Sequence, residues 1–124
     1  MEKILCVDDD SSLLQLYHDE LSNEGNKVNL AKDGKEALSK YSKEIPDLVV
    51  MDIRMPVMDG IQTLIAMLGK DRQVQVILNT AYPQCRENFM TWGAAAYVIK
   101  STDLTELKQK IREVLERRKK LTKS

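Results

Sequence analysis

Five short apolar segments, separated by longer stretches with helical periodicity, constrain the fold of this chain more than any other feature. Most of these segments are continuously apolar, as expected for parallel strands that helices cover on both faces. The second segment alternates, with Val28 and Leu30 on one side and Asn29 on the other, which is typical of an edge strand. The predicted strands are Lys3–Val7, Lys27–Ala31, Asp47–Met51, Gln75–Asn79 and Ala96–Ile99.

The stretches between these strands carry apolar residues at the three- and four-residue spacing of helices. The first helix is predicted to stop at Gly25 and the third at Gly69. A helix with a less defined apolar face is predicted near Pro83–Trp92. The predicted buried stripes of the other helices are Leu14, Tyr17 and Leu21; Ala37, Leu38 and Tyr41; Ile61, Leu64, Ile65 and Leu68; and Leu104, Leu107, Ile111, Val114 and Leu115.

Three of these helices have an aspartate at the predicted start and an acid or amide three residues later, which is the spacing of a capping box. The pairs are Asp33 with Glu36, Asp59 with Gln62, and Asp103 with Glu106. Strands that alternate with helices indicate one α/β domain with right-handed crossovers over the 124 residues. Residues 117–124 lose the apolar pattern and are predicted to be a helix end or a disordered tail.

The composition excludes several other classes of protein. Lys plus Arg and Asp plus Glu both number 19, which argues against a nucleic-acid-binding surface across the domain. No apolar run approaches the roughly 18 residues that span a bilayer, and the acidic N-terminal segment does not resemble a signal peptide. We therefore expect a cytoplasmic protein. Two cysteines do not make a disulfide framework, and Cys6, inside an apolar run, is expected in the core.

Polar side chains follow four of the five predicted strands. Asp8 and Asp9 come directly after the first strand and Asp52 after the third, whereas Thr80 follows the fourth and Lys100 the fifth. In open α/β sheets, ligands bind beyond the carboxyl ends of the strands. The next acid, at position 10, is better interpreted as the start of the first helix, or as a group that supports the site, than as a direct metal ligand. The sequence therefore predicts one polar site at this edge of the sheet.

The predicted site brings together three carboxylates, Asp8, Asp9 and Asp52. A pair of like charges about 4 Å apart repels by roughly 4 kcal/mol at an effective dielectric constant near 20, so the cluster requires a cation or shifted pKa values. Carboxylate oxygens suit a hard ion such as Mg²⁺, which also favours phosphate ligands. Lys100 adds a positive charge and Thr80 a hydroxyl group. The set is typical of a metal-bound phosphoryl site, with Asp52 as a possible carboxylate nucleophile.

These motifs, taken in order, resemble the receiver domain of two-component response regulators. The segments that carry the resemblance are ILCVDDD, PDLVVMDIRMPVMDG, VILNTAY and GAAAYVIK, and they extend over nearly the whole chain. The resemblance implies a flavodoxin-like, doubly wound (βα)5 fold with a five-stranded parallel sheet in the order 2-1-3-4-5. Because the sequence shows no further domain, the chain looks like the stand-alone type, such as the chemotaxis regulators or the sporulation phosphorelay intermediate.

The resemblance also implies roles for particular residues at the acidic end of the site. Asp52 matches the aspartate that takes a phosphoryl group from a phosphohistidine on a sensor histidine kinase. Asp8 and Asp9 match the acidic pair that, with Asp52, holds Mg²⁺ or Mn²⁺. The backbone carbonyl of Arg54 matches the remaining protein ligand of the metal.

Three further residues match the part of the family site that transmits the signal. Thr80 matches the hydroxyl that follows the phosphoryl group, Lys100 the lysine that pairs with it, and Tyr97 the aromatic residue that turns inward when the threonine moves. The resemblance implies a self-phosphorylating and self-dephosphorylating switch that turns over no external substrate. Its partners would be a sensor histidine kinase and either a histidine phosphotransferase or a downstream effector protein. We expect no membrane partner and no nucleic-acid partner for this segment.

The sequence departs from the family pattern at three places. Proline usually follows the lysine, often through a cis bond, but Ser101 follows Lys100 here, and a cis bond before a non-proline residue costs roughly 2.5–4 kcal/mol. Arg54 and Tyr82 lie two positions beyond the acceptor and the threonine, and neither positions water well. We therefore predict slow self-dephosphorylation. Val57 stands where the loop often has glycine, and we expect little effect.

Three alternatives remain open at the level of the sequence. The chain could be the receiver half of a longer DNA-binding transcription regulator that continues after residue 124. The D-x-D motif of Asp8 and Asp10 could instead belong to a phosphatase like the haloacid dehalogenases, in which Asp8 would carry the phosphate. A receiver-like domain that binds partners without phosphorylation is the third alternative. Labelling with an acyl-phosphate donor would distinguish the last two from a receiver.

Overall fold

A computed structural model describes residues 2–53, 58–71, 73–81 and 93–122, with side chains up to residue 119. Five parallel strands form one sheet in the order β2-β1-β3-β4-β5, which confirms the predicted fold. The strand bounds agree with the prediction to within one residue at each end. The strands are β1 (Lys3–Val7), β2 (Lys27–Ala31), β3 (Leu48–Met51), β4 (Val76–Thr80) and β5 (Ala96–Ile99).

Four helices lie among the described residues, and two of them begin at predicted capping aspartates. At the last helix the predicted pair of Asp103 with Glu106 was wrong, because Asp103 accepts the N–H of Thr105 instead. Asp59 forms a capping box with Gln62, and Asp33 accepts a hydrogen bond from the backbone N–H of Glu36. Each such cap satisfies a backbone donor that the first turn of a helix leaves unpaired. The helix predicted over Pro83–Trp92 lies outside the described residues. The helices are α1 (Ser11–Asn23), α2 (Gly34–Lys43), α3 (Gly60–Lys70) and α4 (Thr105–Thr122).

The predicted apolar stripe of α3 was wrong in part. Ile65 was predicted to be buried, but 58% of it is exposed. Gly69 was predicted to end the helix, but the helix continues to Lys70 and its C-cap is Asp71. The buried residues recur instead at the spacing i, i+3, i+4 and i+7 from the first residue of the helix, as Gly60, Thr63, Leu64 and Met67. The sequence misled because this face contains a glycine and a threonine, whereas an apolar isoleucine faces solvent.

The core consists of two layers, one on each face of the sheet. The layer under α1 and α4 contains every residue that was predicted to be buried in these two helices. The layer under α2 and α3 contains Tyr41, Leu64 and Tyr97. Strand β3 lies between the layers, and all four of its residues are buried, which explains why this segment is continuously apolar.

The basic end of α4 is attached to the edge of the sheet opposite to the predicted site. Arg118 contacts the carboxylate of Asp47 at 3.0 Å, and Lys119 contacts Glu2 at 3.0 Å. Asp47 also accepts a hydrogen bond from the backbone N–H of Lys3, so it links β1 and α4 beside the first residue of β3. None of the helices in the described part of the chain has the length and apolar content needed to cross a membrane.

Candidate functional site

Parallel pairing of β1 with β3 places Asp8 and Asp52 side by side. Val7 and Met51 are register partners at the ends of these strands, and each aspartate is the next residue along its chain. The backbone N–H of Asp52 donates to the carbonyl of Val7 at 3.0 Å, which continues the pairing into the site. Both carboxylates are nearly inaccessible to solvent, with 1% of Asp8 and 6% of Asp52 exposed.

Lys100 extends from the end of β5 to both of these carboxylates. Its ammonium Nζ lies 2.8 Å from Oδ2 of Asp8 and 3.0 Å from Oδ2 of Asp52. The backbone of Lys100 is held by Thr80, whose carbonyl accepts its N–H at 2.7 Å. The described residues contain no cis peptide bond, so the lysine reaches the acids with a trans bond to Ser101.

Burial and ion pairing act against each other at this cluster. Burial raises the pKa of Asp8 above its ordinary value, and the hydrogen bond from Lys100 offsets only part of that effect. Burial alone would lower the pKa of Lys100, but its hydrogen bonds to Asp8 and Asp52 raise it. The remaining carboxylate oxygens accept backbone N–H groups, Oδ1 of Asp8 from Asp10 and Oδ1 of Asp52 from Ile53. Because its pKa is raised, the ammonium of Lys100 stays protonated at neutral pH.

Asp9 completes a group that fits a divalent cation. One carboxylate oxygen from each of Asp8, Asp9 and Asp52 lies within 4.8 Å of the others, and Asp9 is exposed. When all three are ionised, Lys100 leaves two negative charges uncompensated. A hard divalent ion with oxygen ligands matches this charge and this donor set. Arg54, whose carbonyl the sequence suggested as a further ligand, lies outside the described residues.

Thr80 and Tyr97 lie on one face of the sheet, next to this cluster. Thr80 ends β4 and is fully buried, and Tyr97 of β5 is the register partner of Leu78, two residues before Thr80. Because side chains two residues apart share a face of a strand, both predicted switch residues point towards the layer under α2 and α3. Only 5% of Tyr97 is exposed, so its ring occupies the inward position.

The sequence correctly indicated that Asp10 starts the first helix, but it did not indicate the packing role of Gly60. Asp10 is the N-cap of α1, where its side chain accepts the N–H groups of Ser12 and Leu13. Gly60 is the first residue of α3, directly after the predicted capping residue Asp59. In the fold its N–H donates to the carbonyl of Ile53 at 2.7 Å, and a Cβ atom at this position would lie 2.0 Å from the carbonyl oxygen of Asp52. The glycine therefore allows α3 to pack directly against the backbone of the predicted acceptor.

Known proteins share this sequence pattern and this fold. Residues 4–112 match the family described as Response regulator receiver domain. The probable transcriptional regulator ycf27 of Guillardia theta is 38% identical over 118 residues, which cover 94% of this chain and 46% of that protein. Sporulation initiation phosphotransferase F of Bacillus subtilis is 34% identical over 116 residues, which cover 92% of this chain and 94% of that protein. The chain thus spans about half the length of the curated relatives it matches first, but nearly all of the sporulation protein.

Solved structures of response regulators have the same fold as this chain. The response regulator protein TrrA of Thermotoga maritima, in complex with Mg²⁺ and BeF, superposes with a TM-score of 0.86 at 37% identity and covers 92% of this chain and 99% of TrrA. TrrA in complex with the histidine kinase ThkA gives a TM-score of 0.85 at the same identity and covers 93% of this chain and 99% of TrrA. Together with the acidic cluster and its lysine, these matches show that the chain belongs to the response regulator receiver domain family.

Proposed function

We propose that this chain accepts a phosphoryl group onto Asp52 from a phosphohistidine of a sensor histidine kinase, in a Mg²⁺-dependent reaction. The observation that carries the proposal is the position of Lys100, whose ammonium contacts both Asp8 and Asp52 at the carboxyl ends of their strands. The metal would be held by Asp8, Asp9 and Asp52 together with the carbonyl of Arg54. When bound, it would neutralise the acidic cluster and orient the phosphoryl oxygens.

The residues of the chain divide the chemistry among them. A carboxylate oxygen of Asp52 attacks phosphorus, the bond from phosphorus to the donor nitrogen breaks, and the donor leaves as an imidazole that takes up a proton. Phosphorylation brings about −2 charge to the acceptor, so Lys100 exchanges its contact with Asp52 for one with a phosphoryl oxygen. The hydroxyl of Thr80 supplies a second hydrogen bond to the new group.

We infer the output of the switch from the shared face of Thr80 and Tyr97. Movement of Thr80 towards the phosphoryl group leaves space beside the ring of Tyr97, which stabilises the inward position of that ring. We expect this change to bias a partner-binding surface that includes α4 and the helix predicted over Pro83–Trp92, which lies outside the described residues. We expect a coupling free energy between phosphorylation and partner binding of about 1–3 kcal/mol.

The comparisons support particular partners as part of the proposal. TrrA binds the histidine kinase ThkA, and we propose an equivalent kinase for this chain, with a phosphotransferase or an effector downstream and a cytoplasmic location. The two kinds of relatives correspond to two arrangements, a receiver alone and a receiver within a longer regulator. The length of the encoding reading frame distinguishes them.

The test is labelling with a small acyl-phosphate donor, with Mg²⁺ or with a chelator, followed by mass spectrometry of the peptides. We expect one phosphoryl group on Asp52, only in the presence of metal, and none on the Asp52→Asn variant. Asp47→Asn is the matched control, since this aspartate contacts Arg118 at the opposite edge of the sheet, and it should be labelled normally. Label on Asp8 would indicate the phosphatase chemistry, and no label from donor or kinase would indicate a receiver-like domain without phosphorylation.

A further inference from the structure

A buried polar pair lies beneath the site, within a layer that is otherwise mainly aliphatic. The amide nitrogen Nδ2 of Asn79 donates to the hydroxyl of Tyr17 at 2.9 Å. Only 1% of Tyr17 and 3% of Asn79 is exposed. Asn79 precedes Thr80 and projects to the opposite face of β4, towards α1 and α4. A polar pair at such a position is costly to leave unsatisfied, so its geometry is strictly determined.

The pair connects two parts of the site whose strands are not neighbours in the sheet. Tyr17 belongs to α1, which follows the acidic residues after β1, and Asn79 belongs to the end of β4. Strand β3 lies between β1 and β4 in the sheet. Burial, and then the negative charge of Asp8, raise the pKa of Tyr17 to about 12, and Lys100 acts in the opposite direction. The hydroxyl therefore stays protonated and lies within the electrostatic field of the site.

The end of β4 in turn positions the cation of the site. Thr80, the residue after Asn79, accepts the backbone N–H of Lys100 at 2.7 Å, and the side chain of Lys100 then reaches across to both acids. On the face of the sheet that α1 covers, the hydrogen bond between Asn79 and Tyr17 attaches the end of β4 to α1. The side chain of Thr80 lies on the opposite face.

We propose that Tyr17 and Asn79 are positioning residues for phosphoryl transfer, which fix Thr80 and Lys100 relative to the acidic residues that follow β1. The inference rests on the proposed function, since it concerns the rate at which Asp52 is phosphorylated. Among the described residues, the two side chains hydrogen-bond to each other and not to Asp8, Asp9 or Asp52. Its loss should slow the chemistry without removing any group that takes part in it.

The central variant is Tyr17→Phe, which keeps the ring and removes the acceptor of the Asn79 amide. We expect the rate of phosphorylation by an acyl-phosphate donor at saturating Mg²⁺ to fall roughly three- to tenfold. The affinity for Mg²⁺ should stay within about twofold, because the three carboxylates project from the ends of β1 and β3. A variant that merely loosened the whole fold would weaken metal binding as well.

Tyr41→Phe is the matched control. Tyr41 is also buried, with 3% exposed, and its hydroxyl donates to Oδ2 of Asp71 at 2.9 Å, a residue that caps the end of α3. This variant loses a comparable hydrogen bond far from the strand ends that form the site. We expect it to lower stability and to leave the rate of phosphorylation unchanged.

A second substitution on the partner tests whether the two residues act as a unit. Asn79→Leu should reduce the rate to a similar extent, and the double variant with Tyr17→Phe should be no slower than the slower single variant. If Asn79→Leu does not fold, Asn79→Ser replaces it. The proposal would be overturned by a normal rate of phosphorylation in Tyr17→Phe, or by equal rate losses in Tyr17→Phe and Tyr41→Phe. It would also be overturned if the rate losses of Tyr17→Phe and Asn79→Leu multiplied independently in the double variant. A wild-type protein that is not labelled at Asp52 would instead refute the proposed function on which it rests.

Discussion

Replacing Lys100 by methionine should destabilise the metal-free protein in a manner that depends on pH and Mg²⁺. Methionine keeps most of the aliphatic stem and removes the ammonium that contacts Asp8 and Asp52. The two carboxylates, 1% and 6% exposed, would then face each other without their cation. We expect a loss of about 3 kcal/mol in the free energy of unfolding at pH 7 without metal, because breaking a buried ion pair leaves an uncompensated charge.

The magnitude follows from the geometry. At 2.8 and 3.0 Å, each contact of the ammonium corresponds to about 5–6 kcal/mol of Coulomb attraction at an effective dielectric constant near 20. Most of this attraction offsets the cost of removing three charged groups from water. Measured losses for a broken buried pair are about 3–5 kcal/mol, and we take the lower end because 18% of the lysine side chain remains exposed.

The pH dependence has a definite sign. Burial already raises the pKa of Asp8, and removal of Lys100 also removes the hydrogen bond and the charge that oppose this rise. A carboxyl group whose pKa is higher in the folded state favours folding when it is protonated, and this contribution is lost as pH rises through the folded pKa. The deficit of Lys100→Met should therefore be largest near neutral pH and should shrink as the pH falls through the raised pKa of Asp8.

The assay is urea unfolding of both proteins at pH 7 and pH 5, with and without Mg²⁺. Mg²⁺ should stabilise Lys100→Met more than the wild type, since the metal replaces the missing charge. Lys108→Met is the matched control, because Lys108 also lies between two carboxylates, Glu20 at 3.1 Å and Glu24 at 3.8 Å, on the surface of the helices. It should cost less than about 1 kcal/mol and respond to neither condition. A deficit in Lys100→Met that is constant across pH and metal would refute the electrostatic reasoning and indicate lost packing.

Three further predictions concern other parts of the molecule. Gly60→Ala, whose Cβ would lie 2.0 Å from the carbonyl oxygen of Asp52, should lower the free energy of unfolding by about 2–3 kcal/mol in urea titrations. Gly69→Ala in the same helix has no atom within 4 Å of its Cβ and should raise it by about 0.5–1 kcal/mol, so equal effects would contradict the packing argument. Burial, and then the charge of Asp8, raise the pKa of the Cys6 thiol to about 12. This thiol should therefore resist alkylation at pH 8 in the folded protein and react in urea, as followed by peptide mass spectrometry. Phosphorylated protein, freed of donor, should lose its label slowly, because the arginine and tyrosine two positions beyond the acceptor and the threonine do not position water; rapid release of inorganic phosphate would sink this idea.

Local sequence patterns predicted most of the fold because each depends on residues that are close together in the chain. A buried parallel strand is continuously apolar, so the end of each apolar run located Asp8, Asp52 and Lys100 at one edge of the sheet. The stripe of α3 was predicted only in part, since Leu64 is buried but Ile65 is exposed. Gly60 and Thr63 are buried for contacts that only the fold creates. Thr63 donates to the carbonyl of Asp59 and would contact any side chain at Gly34, a position distant in sequence.

The sequence by itself determined which chemical groups this protein has and the strand ends from which they project. Only the tertiary structure decided their distances, because Lys100 lies 48 residues from Asp52 and local periodicity carries no information over that separation. The same holds for Tyr17 and Asn79, which are 62 residues apart and looked like an ordinary core residue and an ordinary strand residue. Parallel pairing and helix packing bring these groups within hydrogen-bonding distance. Burial then makes each contact strong enough to set the charge and the position of the groups in the site.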